Sequence, residues 1–246
     1  MYHALESSRS VVATDPSWFA ETMAALAEAG YRTVDLPAWI AQGRPEVERG
    51  FALTFDDGYR SVLAAADVLP RYGFGATIFL VTGRMGDDNR WAGQPRRIPT
   101  SRLLDWSDLP PLQAAGFQFG AHSRTHPRLD RLGGDVLDAE LRGSRDDIEQ
   151  RLGVPCRLLA YPYGHGPPLV RRAAARHFDA AFTTRLATAM RGEDPYGISR
   201  IDAYYLRSPR WLSAFLTDRR RFLAMRRLLR AARQGGRLLA IANRSG

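Results

Sequence analysis

The sequence predicts an α/β fold built around a parallel β-sheet. Short apolar, β-branched segments alternate with helical segments along most of the 246 residues, and this alternation is typical of βα units. About seven units follow one another without a linker, which favours a closed or nearly closed barrel. An open doubly wound sheet is the alternative, but no G-x-G-x-x-G motif follows a predicted strand, which argues against a dinucleotide-binding version.

The first half of the chain begins with a helix whose ends carry capping residues. Asp15 is a favoured N-cap, Pro16 suits the first helical position and Gly30 stops the helix. The apolar run at 75–81 predicts a buried strand. The elements predicted here are helix 15–30, strand 31–36, helix 37–43, strand 51–55, helix 59–73, strand 75–81, a loop over 82–102 and helix 106–116.

The second half continues the alternation of strands and helices. Within this alternating part of the chain, the longest predicted helix is 133–153. Its predicted apolar side consists of Val136, Leu137, Leu141, Ile148 and Leu152. The elements predicted here are strand 117–123, helix 133–153, strand 156–164 with a terminal turn, helix 167–178, strand 180–184 and strand 197–205.

Composition limits the class of protein. Hydrophobic residues make up 45% of the chain and charged residues 25%, as in a folded globular protein. No run approaches the roughly 20 apolar residues of a membrane span, and the first residues lack the basic start and apolar stretch of a signal peptide. We therefore expect a cytoplasmic location. The single cysteine, Cys156, excludes an internal disulfide.

The positive charge is concentrated at the C-terminal end. Eleven arginines and one acid, Asp218, lie between Arg207 and Arg244, so this segment carries 11 − 1 = +10. The remainder has 24 arginines and 25 acids, or 24 − 25 = −1. The basic isoelectric point is thus a property of the segment 207–246, and the main body is close to neutral.

Chemically competent residues follow three of the predicted strands. Asp56 and Asp57 follow strand 51–55, His122 and His126 follow 117–121, and Tyr-Pro-Tyr-Gly at 161–164 follows 156–160. Parallel barrels and open α/β sheets place their sites at the carboxyl ends of strands. Each motif alone also has an ordinary explanation, a turn or surface histidines, but three at successive strand ends favour a site.

Two histidines and a carboxylate form a ligand set for zinc or another divalent transition metal. A metal also accounts for the adjacent aspartates, whose charges would otherwise repel. One aspartate can bind the cation, and its neighbour can take a proton from a water that the metal has made more acidic. The pair then divides metal binding from base catalysis.

These motifs resemble those of the polysaccharide deacetylase family, the NodB-homology domain or carbohydrate esterase family 4. Residues 54–58, Thr-Phe-Asp-Asp-Gly, resemble its first motif, and 122–126, His-Ser-Arg-Thr-His, its second. Residues 161–164 resemble a variant of its third motif. The resemblance covers 1–206 and implies a distorted (β/α)7 barrel, with 207–246 as an arginine-rich helical extension packed on it.

The resemblance implies metal-dependent removal of an acyl group, most often N-acetyl, from an amino sugar or a sugar-containing biosynthetic intermediate. The enzyme would act on a C–N bond other than a peptide bond. By position, Asp57, His122 and His126 would bind the metal, and Asp56 would be the base. The backbone N–H of Tyr163 would help hold the oxyanion. Tyr161, Pro162, Gly164, His165 and Arg200 are the residues expected at the substrate. Zinc is the expected metal, with cobalt, nickel, iron and manganese as alternatives.

Two departures from the family pattern leave roles to fill. Many members carry an arginine, against the catalytic aspartate, where this chain has Ala160; Arg200 is the candidate substitute. The family's late general-acid histidine is missing, because no histidine follows His177. We expect His3 or His165 to serve as the acid. A catalytically impaired member that binds carbohydrate or metal is the alternative.

The arginine-rich segment 211–233 has helical periodicity, with apolar residues sharing one side. A basic amphipathic helix is typical of a membrane-surface element, which would place a cytoplasmic protein at the inner face of the membrane. A lipid-linked sugar would then suit the enzyme as substrate. A helix packed on the barrel with a solvated arginine face is the alternative. Nucleic acid is not expected, because no reading motif accompanies the charge.

Overall fold

The computed structural model describes the backbone of residues 1–242 and the side chains of residues 1–231. Residues 232 and 233, part of the predicted amphipathic helix, lie outside the described side chains. The chain divides into two compact units, Met1–Tyr204 and Tyr205–Gly246. The strands are β1 (Ala4–Leu5), β2 (Ala13–Thr14), β3 (Arg32–Thr33), β4 (Gly50–Phe51), β5 (Thr54–Phe55), β6 (Ala76–Leu80), β7 (Phe117–Ala121), β8 (Leu158–Ala160), β9 (Ala180–Leu186) and β10 (Ile198–Arg200).

The α-helices alternate with these strands in the first unit and continue into the second. They are α1 (Pro16–Glu28), α2 (Leu36–Ala41), α3 (Leu109–Ala114), α4 (Gly134–Leu152), α5 (Pro168–Ala174), α6 (Pro209–Thr217) and α7 (Arg219–Ala242). Segments of 3-10 helix are Arg60–Asp67, Leu69–Tyr72, Thr82–Arg84, Trp106–Asp108, Leu129–Arg131, Pro162–Gly164 and Ala203–Leu206.

The central sheet has six parallel strands in the order β5-β6-β7-β8-β9-β10, so neighbours in the chain are neighbours in the sheet. Helices α3, α4 and α5 lie in the connections between successive strands. Sequential order with every strand parallel is the topology of a barrel rather than of a doubly wound sheet, whose strand order reverses. The predicted barrel class is confirmed.

The N-terminal residues join the two edges of this sheet. The N–H of Tyr2 donates to the carbonyl of Thr54 at 2.8 Å, and the N–H of Asp56 donates back to Tyr2 at 3.0 Å. On the other side, the amino group of Met1 donates to Ile201 at 2.9 Å, and the N–H of Ala203 donates to Met1 at 2.9 Å. This segment therefore takes the place of a seventh strand between β5 and β10.

The strand predicted at 51–55 is two strands in two different sheets. Gly50–Phe51 pairs with β3 in a two-stranded sheet, whereas Thr54–Phe55 enters the central one. Packing explains the break. Phe51 contacts Tyr31 and Phe74, but Phe55 packs on Tyr2 and Phe19, so the chain crosses from one aromatic cluster to another.

Two helix predictions also need correction. Residues 60–72 form 3-10 helix rather than α-helix. In α4 the buried residues are Leu137, Leu141, Ser144 and Ile148, while Val136 is 59% exposed. A residue at 136 lies about 100° around the helix from one at 137, which takes it off the buried stripe. The cap at Asp15 is as predicted, since its carboxylate accepts the N–H of Ser17 at 2.9 Å.

The second unit contains α6 and α7, joined through aromatic and cation–π contacts. Phe215 and Phe222 meet with ring centroids 5.6 Å apart. The Arg226 guanidinium lies 3.7 Å from the ring centroid of Trp211 and donates to the carbonyl of Tyr205. Within the described residues, no helix combines the length and apolar character needed to cross a membrane.

Candidate active site

The ends of β5 and β7 bring one aspartate and two histidines together. The Oδ1 atom of Asp57 lies 3.2 Å from Nε2 of His122 and 3.2 Å from Nε2 of His126. The three side chains are buried, and their donor atoms lie within 4.8 Å of one another. The predicted set of Asp57, His122 and His126 is therefore assembled as one cluster that could hold a metal ion.

Left-handed backbone at both strand ends produces this arrangement. Asp57 has φ 71°, Ser123 φ 62° and His126 φ 60°, a region that residues other than glycine adopt rarely. Adjacent residues of an extended strand point to opposite faces, and the turn at Asp57 ends the extended conformation after Asp56. The two carboxylates consequently reach different partners.

The tautomer of His122 is fixed by a backbone carbonyl. Its Nδ1 lies 2.7 Å from the carbonyl oxygen of Ala160, so Nδ1–H donates there and Nε2 is the nitrogen that faces Asp57. An imidazole whose second nitrogen is held in this way is the usual form of a metal-ligating histidine. The donor set thus fits a divalent metal in both residue type and orientation.

His126 is held by ring contacts. Its ring centroid lies 4.2 Å from that of Trp91 and 4.7 Å from that of Tyr163. Its Nδ1 is buried and has no hydrogen-bond partner among the described residues. These two ring contacts restrict the freedom of the His126 ring to leave the cluster.

Electrostatics in the cluster reflect burial and mutual contact. Burial would raise the pKa of Asp57, but hydrogen bonds from His122 and His126 outweigh it and hold that pKa well below its ordinary value. Burial lowers the pKa of His126. For His122, burial also acts to lower the pKa, yet the contact with Asp57 raises it overall. Asp57 therefore stays ionised and available as a ligand.

Asp56 is paired with Arg200, from the end of β10. The two terminal guanidinium nitrogens donate to the two carboxylate oxygens, each at 2.7 Å, and Nε donates to the carbonyl of Thr183 at 3.0 Å. Arg200 is 7% exposed and Asp56 2%. Burial acts to raise the pKa of Asp56, but the charge of Arg200 and its hydrogen bonds lower it overall.

Arg200 thus contacts the aspartate that an arginine at position 160 would serve in many members of the family. Ala160 is fully buried on β8, with Phe182 of β9 as its register partner. Arg200 lies on β10, two strands after β8, which carries Ala160. Its guanidinium lies 5.9 Å from the ring centroid of Phe182 on β9. Its position at the substrate stays a prediction.

His3 lies within electrostatic range of the site. It is partly buried, and its charge is a smaller contribution to the lowered pKa of Asp56 and Asp57, after burial and the contacts described above. The exposed His165 instead contributes to the lowered pKa of Asp130, whose main cause is the hydrogen bond from Arg128. Which of the two histidines serves as the acid stays a prediction.

The third motif forms a tight turn after β8. Tyr161 is fully buried and its hydroxyl donates to the carbonyl of Tyr196 at 2.9 Å; Pro162 is buried as well. Tyr163 has φ 61° and turns its ring onto His126. Gly164 has φ 72°, and a Cβ there would lie 2.2 Å from Oγ1 of Thr184, so no other residue fits.

Trp91 is a site residue that the sequence did not reveal. It lies in the loop 82–102, is 6% exposed and covers the ring of His126. Asn89 supports this loop: its amide nitrogen donates to the Tyr59 hydroxyl at 3.0 Å and its oxygen accepts the N–H of Ser101 at 2.9 Å. A lone tryptophan in a polar loop was the available signal.

Two histidines and an aspartate at the carboxyl edge of a parallel barrel define a class, the barrel proteins with a three-residue cluster that could hold a metal ion. Within that class, the chain belongs to the polysaccharide deacetylase family, because the family profile, described as polysaccharide deacetylase, matches residues 43–178, more than half of the chain. Members of this family are hydrolases that deacetylate sugar-containing substrates. No curated protein sequence matches the chain.

Solved structures confirm the fold. IcaB from Ammonifex degensii superposes with TM-score 0.73 at 22% identity, over 88% of this chain and 93% of that protein. The Streptococcus pyogenes deacetylase PplD, in complex with acetate, gives 0.71 at 22% identity over 82% and 89%. BC0361, a polysaccharide deacetylase from Bacillus cereus, gives 0.69 at 22% identity over 82% of this chain, which spans 63% of that protein.

Proposed function

We propose that this chain is a metal-dependent deacetylase that removes an N-acyl group, most often N-acetyl, from an amino sugar. One observation carries the proposal: the two adjacent aspartates have separate partners. Asp57 lies 3.2 Å from both histidines, and Asp56 lies 2.7 Å from Arg200. One carboxylate is thereby available for a metal and the other for proton transfer, as the family's hydrolytic chemistry requires.

Asp57, His122 and His126 would hold the metal, with zinc as the first candidate from the ligand types. When bound, a divalent metal lowers the pKa of water and polarises the acyl carbonyl. The protein supplies the orientation and the ionisation state of the proposed ligands. His122 is oriented by the carbonyl of Ala160, and Asp57 is kept ionised by its contacts with the two histidines.

Asp56 would be the general base that accepts the proton from the attacking water. Arg200 holds both oxygens of its carboxylate, which fixes its orientation and keeps it ionised. A carboxylate that already accepts two charged hydrogen bonds has little freedom to rotate away. Further lone pairs on the same oxygens can still accept from water.

His3 would donate the proton to the leaving amine. Of the two candidate histidines, His3 is the one whose charge acts on both Asp56 and Asp57, and no histidine follows His177 in the sequence. The backbone N–H of Tyr163, in the left-handed turn beside His126, would stabilise the oxyanion of the tetrahedral intermediate.

Metal content tests the proposal without knowledge of the substrate. We expect elemental mass spectrometry to find about one equivalent in the wild type, as for a three-ligand catalytic site. His122→Ala and His126→Ala should each lose it. His177→Ala is the matched control, because His177 contacts Asp138 at 2.7 Å and not this cluster. Retention of metal by the first two variants, or its absence from the wild type after incubation with zinc, cobalt and nickel, would refute the site.

A second proposal concerns α7, for which we infer an anionic lipid surface as partner. Leu228 is 72% exposed, and Met225 and Leu229 are each 41% exposed, on a helix that carries arginines and no acid. Exposed apolar side chains among cations suit binding to such a surface. The wild type should sediment with phosphatidylserine vesicles at low salt, and Leu228→Glu should bind less. No sedimentation at low salt would exclude the partner.

A further inference from the structure

The loop between the two histidine ligands rests on a carboxylate from α4. Oε2 of Glu140 accepts the backbone N–H of Arg124 at 2.8 Å and that of Thr125 at 3.0 Å. Its other oxygen, Oε1, accepts the Thr125 hydroxyl at 2.6 Å. Three donors of residues 124 and 125 thus converge on one side chain, and these two residues lie between His122 and His126 in the sequence.

The backbone of this loop requires outside support. Ser123 and His126 both have left-handed φ values, 62° and 60°, and such residues persist only where their surroundings fix them. The N–H of His126 is satisfied within the loop by the Ser123 hydroxyl at 3.0 Å. The N–H groups of the two intervening residues face α4, and Glu140 is their acceptor.

Other contacts hold the same loop without touching those two N–H groups. The N–H of Gly83 donates to the carbonyl of Arg124 at 2.8 Å. Asp147, seven residues after Glu140 on α4, accepts Nε of Arg124 at 2.9 Å and the hydroxyl of Thr82 at 2.7 Å. A Cβ at Gly143 would lie 2.4 Å from Cδ of Arg124. The loop is therefore enclosed by α4 and the end of β6. Within this enclosure, Glu140 accepts the backbone N–H groups of Arg124 and Thr125.

We propose that Glu140 is a positioning residue for the metal site. Its carboxylate fixes the 123–126 turn, and the turn sets the separation of the two Nε2 atoms that face Asp57. The inference rests on the proposed metal-dependent function, but it concerns the loop rather than the ligands, since Glu140 contacts neither histidine. It assigns to α4, distant in sequence from the first motif, a share of the metal affinity.

The experiment compares two carboxylates of the same helix. Glu149 accepts the backbone N–H of Cys156 at 3.0 Å, so it makes the same kind of contact with a different loop. We expect Glu140→Ala to weaken cobalt binding about 10–100-fold, the usual effect of removing a group that orients metal ligands. Glu149→Ala should bind cobalt like the wild type. Glu140→Gln, which keeps one acceptor oxygen, should lie between.

Three readouts separate the outcomes: the cobalt dissociation constant, the visible absorption of bound cobalt, and the thermal unfolding midpoint of the metal-free protein. Wild-type affinity in Glu140→Ala, or equal weakening in Glu149→Ala, would overturn the positioning role. If Glu140→Ala fails to fold, wild-type affinity in Glu140→Gln overturns it instead. A wild type that binds no cobalt refutes the proposed function itself, so the two failures are distinguishable.

Discussion

Asp56 and Asp57 are neighbours in the chain and differ in nearly every other respect. Asp56 faces Arg200, a guanidinium that donates two hydrogen bonds of 2.7 Å to its carboxylate. Asp57 faces two imidazoles at 3.2 Å, side chains of the kind that bind divalent metals. One aspartate therefore has a cation that can only donate to it, and the other has partners that a metal can share.

This difference shows how a chain can place two like charges side by side in a buried site. Repulsion between the carboxylates is offset on each side by a separate positive or hydrogen-bonding group. The pairing also supports the proposed roles. A carboxylate held by an arginine keeps its orientation, while a carboxylate between two imidazoles belongs to a cluster that could hold a metal ion.

The largest expected effect comes from Asp57. Asp57→Ala should weaken cobalt or zinc binding by more than about 100-fold, beyond the usual loss for a group that only orients ligands, and should abolish deacetylation. Isothermal titration of the metal-free variant measures the first. Metal affinity within a few-fold of the wild type would show that Asp57 is not a metal ligand.

Asp56→Asn is the reciprocal change. It removes the base and leaves the ligand set intact, so metal content should stay at the wild-type level. Release of acetate from an N-acetylated amino-sugar oligosaccharide should fall about 10³-fold, within the usual range for a general base. Full activity would assign the base elsewhere. Loss of both metal and activity in Asp56→Asn would show that Asp56 also takes part in metal binding, and would contradict the proposed division of roles.

Arg200→Met tests the contribution of the guanidinium, because it removes the cation that pairs with Asp56. Leaving Asp56 buried and unpaired should cost about 3–5 kcal/mol of unfolding free energy, measured by urea denaturation of the metal-free protein. A second substitution, Ala160→Arg, places the arginine where many family members have it. Recovery of activity by the double variant would show that the guanidinium, and not the strand that carries it, matters. An unchanged stability in Arg200→Met would contradict the pairing.

The smallest effect expected concerns the acid. His3→Ala should lower acetate release about 10²-fold with metal retained, whereas His165→Ala should leave the rate unchanged. The two variants are matched because both histidines lie outside the ligand set. A loss confined to His165→Ala would reverse the assignment, and no loss in either would require a proton donor other than histidine.

The cluster of Asp57, His122 and His126 could be predicted from the sequence, because its residues follow strands directly and lie close together within each motif. Asp56 and Asp57 directly follow a strand, His122 and His126 are four residues apart, and parallel strands end at the same edge. The barrel class was equally accessible, since alternating strands and helices are a pattern of the whole chain.

Other parts depend on contacts between distant residues. Arg200 and Asp56 are 144 residues apart; the sequence offered Arg200 as a candidate partner for this aspartate, but no spacing rule places a residue of β10 against it. Trp91 lies in a loop without periodicity, so its contact with His126 follows from tertiary packing alone. The division of 51–55 between two sheets likewise arises from two aromatic clusters, which composition cannot distinguish.

The position of the N-terminal segment has a consequence for synthesis. Met1 bonds to Ile201, 200 residues later, so this segment cannot complete the ring until nearly the whole first unit has left the ribosome. At about 5–20 residues per second, the wait is on the order of 10–40 s. Arg200 directly precedes Ile201, so the nascent chain acquires the cationic partner of Asp56 only at the same late stage.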